Sequence, residues 1–353
     1  MKQEHVNLQG VEYVEYAVRD LDLASPNFEK LGFTCMGFRS DANRRSKLYM
    51  QGDARFMLTA SSSEKDPAFH FSRAHGDGVM TVGYKVEDSA EAYRLSCQKG
   101  AKSAHGLESL RGKDGALMNR SAIQVYGDVR NSFVSYDGGG RFEDSFTEEK
   151  HSAPSHKGKF LQTIDHITVN VEKGQVERWA KFYEDLFGFS LVRYFDISTD
   201  KTGLFSKALR NPNGRVTMPF NEPTNAKSQI QEFIDTFHGP GIQHIALHTS
   251  NIILCLEDLE KKGFKFLDVP ETYYEAVPKR VPNVSEDMNE LKKHSILVDG
   301  SEKGYLLQIF TEPVIGPFFF EVIERKGDNG FGDGNFRALF ESIERDQIRR
   351  GVL

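Results

Sequence analysis

IDHITVNV, residues 164–171, alternates apolar and polar side chains, which is the pattern of a half-buried strand. A similar stretch, VEYVEYAV, occupies residues 11–18. Each is followed by a helical pattern that stops at a glycine between apolar residues, at 31–33 in the first half and at 187–189 in the second. The chain is therefore predicted to be a tandem repeat of one strand-helix pattern.

The second part of each repeat unit also matches. MTVGYKVEDSAEAYRLSCQKGA (80–101) and IQHIALHTSNIILCLEDLEKKGF (242–264) both read as a strand, a helix and a glycine stop, and strand-rich segments follow. Each half is thus predicted to hold two β-α-β-β-β modules. Four such modules would form two curved sheets, open barrels of the α+β class.

The boundary between the halves is predicted from a loss of apolar periodicity between Asp137 and Lys159, where glycines precede a polar stretch. A chain of 353 residues is long enough for two domains with separate cores. We therefore expect an N-terminal domain over residues 1–150 and a C-terminal domain over residues 151–353.

Charge and hydropathy point to a small-molecule ligand. The 45 basic and 51 acidic residues give a formal net charge of -6, and neither sign forms long blocks. No nucleic-acid or membrane partner is therefore expected. The polar N-terminus lacks the apolar segment of a signal peptide, and no run approaches the length of a spanning helix. A cytoplasmic protein is expected.

A buried carboxylate is the first indication of chemistry. In GPFFFEV (316–322), Glu321 follows three phenylalanines, and an ionised carboxylate in such a strand needs a partner or a metal ion. His166 and His244 occupy strand positions at which the N-terminal half has Tyr13 and Thr81.

The three residues are separated by 78 and then 77 positions, as expected if successive modules each supply one inward-facing group. Two imidazoles and a carboxylate form the facial triad that suits Fe(II). A metal site at His166, His244 and Glu321 is therefore one interpretation.

Other interpretations of the histidines remain open. A single histidine on a half-apolar strand is commonly a hydrogen-bonded core residue. His248 lies four residues beyond His244, roughly 13 Å along a strand, which is too far to share one ion. The remaining histidines lie in polar segments without a ligand pattern, and these are His5, His70, His75, His105, His151, His156, His238 and His294.

Several motifs of the C-terminal half together resemble one family. They are SKAL (206–209), MPFNEP (218–223), KSQIQEF (227–233), GPGIQHIALHT (239–249), YLLQIFTEPV (305–314), FFFEVIER (318–325) and GFGDGNFRALFESIERDQ (330–347). With the tandem repeat, they resemble the 4-hydroxyphenylpyruvate dioxygenase family of the vicinal-oxygen-chelate superfamily. The resemblance covers nearly the whole chain.

The resemblance implies an enzyme of tyrosine catabolism with Fe(II) as cofactor and His166, His244 and Glu321 as metal ligands. It implies that 4-hydroxyphenylpyruvate and O2 become homogentisate and CO2 through oxidative decarboxylation, ring hydroxylation and side-chain migration. It also implies that the N-terminal half is a degenerate copy serving architecture and assembly. A homo-oligomer, dimer or tetramer, is expected by the same resemblance.

The resemblance further assigns residues around the substrate. The neutral polar positions that match are Ser206, Asn221, Gln229, Gln243 and Gln308, which suit a phenol that must be oriented without being ionised. The aromatic positions that match are Phe310, Phe319, Phe331, Phe336 and Phe340. Phe336, Leu339, Phe340 and Ile343 recur at helical spacing, either as a C-terminal helix docked on the core or as a lid over the active site.

Two alternative functions remain. The first is 4-hydroxymandelate synthesis, which uses the same metal and substrate but hydroxylates the benzylic carbon; retention of Pro219 and Phe336 favours the ring-hydroxylating reaction. The second is a non-catalytic ligand-binding member of the superfamily, against which the intact triad argues.

Overall fold

The computed structural model describes residues 5–112, 115–148 and 160–351. These residues form two curled half-barrel sheets with interspersed helices, so the expected α+β class is confirmed. The predicted boundary at residue 150 lies outside the described residues. Within the described ranges, no helix is long and apolar enough to cross a membrane.

The N-terminal half contains two β-α-β-β-β modules in sequence. Its strands are β1 (Gly10–Ala17), β2 (Thr34–Ser40), β3 (Arg44–Gln51), β4 (Ala54–Ser61), β5 (Gly78–Lys85), β6 (Ser103–Arg111), β7 (Leu117–Gln124), β8 (Arg130–Asp137) and β9 (Thr147–Glu148). Its helices are α1 (Leu21–Lys30), α2 (Pro67–His75) and α3 (Ser89–Gln98).

The C-terminal half repeats the plan with added helices. Its strands are β10 (Leu161–Asn170), β11 (Ser190–Ser198), β12 (Gly203–Arg210), β13 (Thr217–Pro223), β14 (Gly241–Thr249), β15 (Leu297–Ser301), β16 (Gly304–Phe310) and β17 (Phe319–Lys326). Its helices are α4 (Val176–Phe187), α5 (Gln229–Phe237), α6 (Ile252–Lys261), α7 (Glu271–Arg280), α8 (Met288–Lys293) and α9 (Asp333–Arg349).

The two sheets have the same strand order when one of them is read from its opposite end, apart from the additional edge strand β9 of the first sheet. The first runs β6-β7-β8-β5-β1-β4-β3-β2-β9 and the second runs β11-β12-β13-β10-β14-β17-β16-β15. In each sheet the two central strands, one from each module, are antiparallel, and each has a parallel partner on its other side. The sheet centre is therefore the place where both modules of a half meet.

Strand register supports the comparison between the halves. Tyr13 pairs with Gly83 across β1 and β5, and His166 pairs with Ala246 across β10 and β14. Thr81 lies two residues before Gly83 in β5, and His244 lies two residues before Ala246 in β14, so these two residues occupy equivalent positions. The N-terminal half thus has Tyr13 and Thr81 where the C-terminal half has its two central histidines.

The phenylalanine run before Glu321 alternates between two sides of the sheet. Phe318 and Phe320 pack against Tyr16 and Phe28 of the N-terminal half, with ring centroids 5.2 and 6.1 Å apart. Phe319 instead packs on the opposite side, against His244. The run therefore joins the cores of the two halves and leaves the side chain of Glu321 on the face of Phe319.

Candidate metal centre

Three adjacent strands bring His166, His244 and Glu321 together. β10, β14 and β17 are neighbours in the second sheet, and Ala246 of the middle strand pairs with His166 on one side and Glu321 on the other. His244 lies two residues from Ala246 on the same middle strand. The small side chain of Ala246 leaves space between its larger neighbours, so the three functional groups can converge.

The ligand atoms lie within metal-binding reach of one another. The Nε2 atoms of His166 and His244 are 3.2 and 3.5 Å from the same Glu321 oxygen, Oε2. One ligand atom from each of the three residues lies within 4.8 Å of the others. The three side chains are only 1 to 5% exposed, so solvent does not compensate their charge.

A second layer of groups fixes the orientation of each ligand. His166 Nδ1 lies 2.9 Å from Asp165 Oδ1, and His244 Nδ1 lies 3.0 Å from Gln243 Oε1. In the neutral form of each ring these acceptors hold the proton on Nδ1, which leaves the Nε2 lone pair directed at the centre. The other Glu321 oxygen, Oε1, accepts a hydrogen bond of 2.8 Å from Gln308 Nε2.

The residues that orient the two imidazoles sit at β-bulges. In the pairing of β10 with β14, Asp165 and Gln243 are each skipped, so each stands as an extra residue beside the histidine that follows it. A bulge re-aims its side chain, which lets each residue reach the ring of its own neighbour. β1 and β5 carry the corresponding bulges at Glu12 and Met80, so the irregularity belongs to the repeat.

Electrostatics link the triad to its surroundings. Burial raises the pKa of Glu321, but the charge and hydrogen bond of His166 outweigh burial and lower it to about 2. Burial lowers the pKa of His166, yet the charge of Glu321 and the bond to Asp165 raise it to about 9. Burial lowers the pKa of His244. A proton on His166 therefore compensates Glu321, and an entering cation displaces that proton.

Arg325 completes this outer layer. Its guanidinium donates to both oxygens of Asp165, at 2.7 and 2.8 Å. Although burial raises the pKa of Asp165, Arg325 and His166 hold it well below the usual value for an aspartate. The permanent anion at Asp165 in turn keeps the His166 ring in one orientation.

The donor set fits a first-row transition metal. Two imidazole nitrogens and one carboxylate oxygen on one side of an ion leave coordination positions open on the other side, the arrangement typical of non-haem Fe(II) sites. Since all three groups are buried and already oriented by acceptors or donors, little reorganisation opposes binding.

A small cavity adjoins the triad. It has a volume of about 30 Å³ and is lined by the three triad residues together with Thr168, Phe195, Ser206, Pro219, Gln308, Phe310, Phe331, Phe336 and Leu339. That volume is about one water's share of liquid. The predicted residues Ser206, Gln308, Phe310, Phe331 and Phe336 are thus brought together at the metal centre, in a closed arrangement.

Three other predicted residues line a second cavity of about 410 Å³. They are Gln229, Gln243 and Phe319, of which the last two contact His244 directly. The rings of Phe319 and His244 are stacked with centroids 4.9 Å apart. The walls of the two cavities therefore meet at His244.

Two predicted residues line neither cavity. Phe340 is 1% exposed and packs in the main hydrophobic core, whereas Leu339 faces the triad in its place. Asn221 is also buried and donates to Asn170 Oδ1 at 3.2 Å. It pairs across β12 and β13 with Ser206, which does line the metal cavity.

Sequence reasoning missed four residues around the site. Thr168, Phe195, Asp165 and Asn335 had no assignment, although Thr168 lies two residues from His166 on the same strand and so shares its face. Asn335 is fully buried near the start of α9 and donates to Gln308 Oε1 at 2.8 Å. It links α9, through Gln308, to the carboxylate of Glu321.

Several buried polar atoms around the centre lack a hydrogen-bond partner among the described residues. They are Thr168 Oγ1, Asn170 Nδ2, Ser206 Oγ, Asn221 Oδ1 and Gln229 Oε1. A buried polar atom without a partner carries a desolvation cost of about 1 to 3 kcal/mol. Two of them, Thr168 Oγ1 and Ser206 Oγ, belong to residues that line the cavity beside the triad, and unsatisfied polar atoms in a cavity wall suit a site that binds a polar ligand.

Comparison with known proteins gives a consistent result. Residues 3–136 match the family model described as "Hydroxyphenylpyruvate dioxygenase, HPPD, N-terminal", and residues 163–277 match "Glyoxalase/Bleomycin resistance protein/Dioxygenase superfamily".

Three curated relatives align over nearly their whole length. The chain is 40% identical to 4-hydroxyphenylpyruvate dioxygenase of Legionella pneumophila, over 98% of this chain and 97% of the relative. It is also 40% identical to that of Pseudomonas aeruginosa, over 99% and 97%. It is 42% identical to hemolysin VllY of Vibrio vulnificus, over 98% and 96%.

A solved structure confirms the fold. A triple mutant of 4-hydroxymandelate synthase from Streptomyces coelicolor superposes with a TM-score of 0.85, over 97% of this chain and 99% of that one. At 24% sequence identity, this likeness concerns the fold alone.

Proposed function

The chain belongs to the 4-hydroxyphenylpyruvate dioxygenase family, and we propose that it converts 4-hydroxyphenylpyruvate and O2 to homogentisate and CO2. One atom of O2 enters the new side-chain carboxylate and the other enters the ring. The observation that carries the proposal is the convergence of His166, His244 and Glu321 in a buried centre.

Fe(II) is the proposed metal. The triad supplies two neutral nitrogens and one carboxylate, the donor set that non-haem iron oxygenases use. When bound there, Fe(II) activates O2 and the 2-oxo acid group of the substrate. The protein's own contribution is to hold the ligands, position the substrate and exclude water.

The residues around the triad are proposed to position the substrate. Phe310, Phe331 and Phe336 provide flat apolar surfaces for an aromatic ring, and Phe319 fixes the plane of His244. Ser206, Asn221 and Gln229 each have a buried polar side-chain atom without a hydrogen-bond partner among the described residues, and this atom could bind the substrate. Neutral donors and acceptors orient a phenol without stabilising its phenolate form. Gln243 and Gln308 act by orienting metal ligands.

Helix α9 is proposed to be a lid. The cavity beside the triad is too small for an aromatic 2-oxo acid, and Phe336 and Leu339 of α9 form part of its wall. Phe336 packs on Phe195 with ring centroids 4.8 Å apart. Movement of α9 away from β11 therefore enlarges the cavity and opens a route to it.

The halves are proposed to divide their roles between residues 1–150 and residues 151–353. In the N-terminal half, Tyr13 fills the centre of the sheet, and its ring stacks on that of Phe142 with the centroids 4.5 Å apart. Tyr13 is 2% exposed, so a core side chain replaces the metal centre there. This half serves architecture and assembly, and the second half carries the chemistry.

A homo-oligomer and a cytoplasmic location complete the proposal. The edge strand β11 exposes Leu191, Val192 and Tyr194 by 48, 41 and 50%, which suits a contact between subunits. The cytoplasmic location is supported by the proposed reaction, because its substrate is an intermediate of amino-acid catabolism.

Oxygen uptake by the Fe(II)-loaded protein with 4-hydroxyphenylpyruvate tests the function, with the product identified by chromatography. Homogentisate is the expected product. Hydroxymandelate would keep the metal centre but contradict the proposed ring position, and absence of uptake despite bound iron would contradict the proposed substrate.

A further inference from the structure

A second group of potential metal ligands lies outside the triad. Glu257 belongs to α6, Glu290 to α8, and His294 caps the C-terminal end of α8. One ligand atom from each lies within 4.8 Å of the others. We propose that these three residues bind a divalent transition-metal ion, with Zn²⁺ as the best-suited ion, and so clamp α6 to α8.

The histidine is oriented as a ligand. His294 Nδ1 lies 2.8 Å from Glu260 Oε1, so the carboxylate accepts the Nδ1 proton. This tautomer leaves a lone pair on Nε2. A metal-binding histidine typically has its other nitrogen held by a carboxylate in this way. Glu260 is therefore the orienting group, and Nε2 is the ligand atom.

Nε2 of His294 is buried but finds no hydrogen-bond partner among the described residues. The side chain is only 1% exposed, and the nearest acidic oxygen, Glu290 Oε2, is 3.6 Å away. That separation is too long for a hydrogen bond. It matches the separation of roughly 3.4 Å expected for two ligands each about 2.1 Å from one tetrahedral ion.

The helices hold these groups in place from the core side. Leu291 and Ile296, on either side of His294, are fully buried. On α6, Leu256 and Leu259 are buried, and Glu257 and Glu260 share the other face at i,i+3 spacing. The positions of the ligands are thus fixed by apolar packing that does not depend on the ion.

Two lysines compete for the acidic ligands. Lys293 Nζ lies 3.0 Å from Glu290 Oε2, and Lys261 Nζ lies 3.9 Å from Glu257 Oε2. Their side chains are 56 and 77% exposed, so each ammonium can return to water when an ion binds. Surface ion pairs of this kind contribute little, about 0 to 1 kcal/mol.

The donor set selects the kind of ion. One imidazole and two carboxylates suit Zn²⁺, Co²⁺ or Mn²⁺, whereas Mg²⁺ and Ca²⁺ prefer oxygen ligands alone. With three protein ligands, a water molecule completes a tetrahedral Zn²⁺ site. The sequence did not indicate the site, because His294 lies in a polar segment and two of its three carboxylate neighbours, Glu257 and Glu260, come from another helix.

The test uses the full chain with the triad removed by His166→Ala and Glu321→Ala, so that only the second site can respond. After chelator treatment, the protein is titrated with Zn²⁺, and bound zinc is measured by equilibrium dialysis with elemental analysis. The expected result is one zinc ion per chain with saturation and a rise in Tm. Absence of saturable binding overturns the proposal.

Further substitutions in this background assign the ligands. His294→Gln is expected to weaken zinc binding by more than about tenfold. Glu260→Gln is expected to weaken it less, because the amide oxygen of the new glutamine still accepts the Nδ1 proton of His294. Should His294→Gln fail to fold, the double variant Glu257→Gln/Glu290→Gln changes only partly exposed groups and is expected to abolish binding. Glu275→Gln, on the exposed face of α7, is the control. Zinc binding that survives both the histidine and the double variant overturns the assignment.

Discussion

Gln308 Nε2 donates a hydrogen bond of 2.8 Å to Glu321 Oε1, while the other oxygen of Glu321 faces both imidazoles. The amide thereby decides which oxygen meets the metal. It is itself held by Asn335 from α9. Glu321 and α9 are therefore linked by one chain of hydrogen bonds.

Gln308→Leu is expected to weaken metal binding by about 10- to 100-fold, because the carboxylate loses the donor that orients it. Titration of the metal-free protein with Co²⁺ measures the affinity. Gln231→Leu, an equivalent change on α5 away from the triad, is the control and should leave the affinity unchanged. Equal affinities for Gln308→Leu and the parent protein would show that Glu321 is oriented by its strand alone.

Glu321→Ala is expected to abolish both bound iron and oxygen uptake while the chain remains folded. The fold should survive because His166 can give up its proton once the carboxylate that raised its pKa to about 9 is absent. Elemental analysis measures the bound iron, oxygen consumption measures turnover, and far-ultraviolet circular dichroism shows whether the chain is folded. Turnover by this variant would show that Glu321 is not a metal ligand.

The repeat comparison located the triad from sequence because strand periodicity and register are properties of the pattern itself. Tyr13 and Thr81 stand at positions equivalent to His166 and His244 in both the sequence comparison and the observed pairing. The modular plan was predictable for the same reason: each module repeats the same order of apolar and polar segments.

The orienting residues could not be predicted in this way. Strand alternation places Asp165 and Gln243 on the face opposite to the histidine that follows each of them. The bulges at both positions overrule the alternation, and bulges leave no clear mark in a single sequence. Similarly, helical spacing could not decide between Leu339 and Phe340, since both lie on the buried side of α9 and only the packing selects which one faces the triad.

Phe336→Leu is expected to divert part of the product from homogentisate to hydroxymandelate. The smaller side chain removes the ring that packs on Phe195 and lines the metal cavity, so the substrate ring can turn its benzylic carbon toward the oxidant. Chromatography of the products gives the ratio. Phe340→Leu, one turn along the same helix, is a matched control that should lower stability but keep homogentisate as the product. A product change with Phe340→Leu would show that Phe340 contacts the substrate, as the family resemblance implies.

Tyr13→Ala is expected to destabilise the fold by about 3 to 5 kcal/mol without changing the iron content per folded chain. The ring lies so close over Gly83 that a Cβ there would be 2.1 Å from it. Because glycine has no side chain, Gly83 cannot fill the cavity that removal of the ring leaves. Denaturant unfolding gives the stability, and elemental analysis gives the iron content. Loss of iron in the folded variant would contradict the structural role assigned to this half.

Buried tyrosines should make the fold sensitive to alkali. Burial raises the pKa of Tyr183 and of Tyr273 to about 12, and it also raises the pKa of three other tyrosines well above the usual value, namely Tyr16, Tyr84 and Tyr126. In the unfolded chain each ionises near pH 10, so the folded state binds more protons above that pH. The stabilising contribution of Tyr183 and Tyr273 is therefore complete below about pH 10 and is lost as the pH rises toward about 12, with a slope of about 1.4 kcal/mol per pH unit for each tyrosine. Denaturant midpoints measured across this range should fall steeply, and tyrosinate absorbance should appear together with unfolding. Full ionisation of the tyrosines while the chain remains folded would show that these side chains are accessible to solvent.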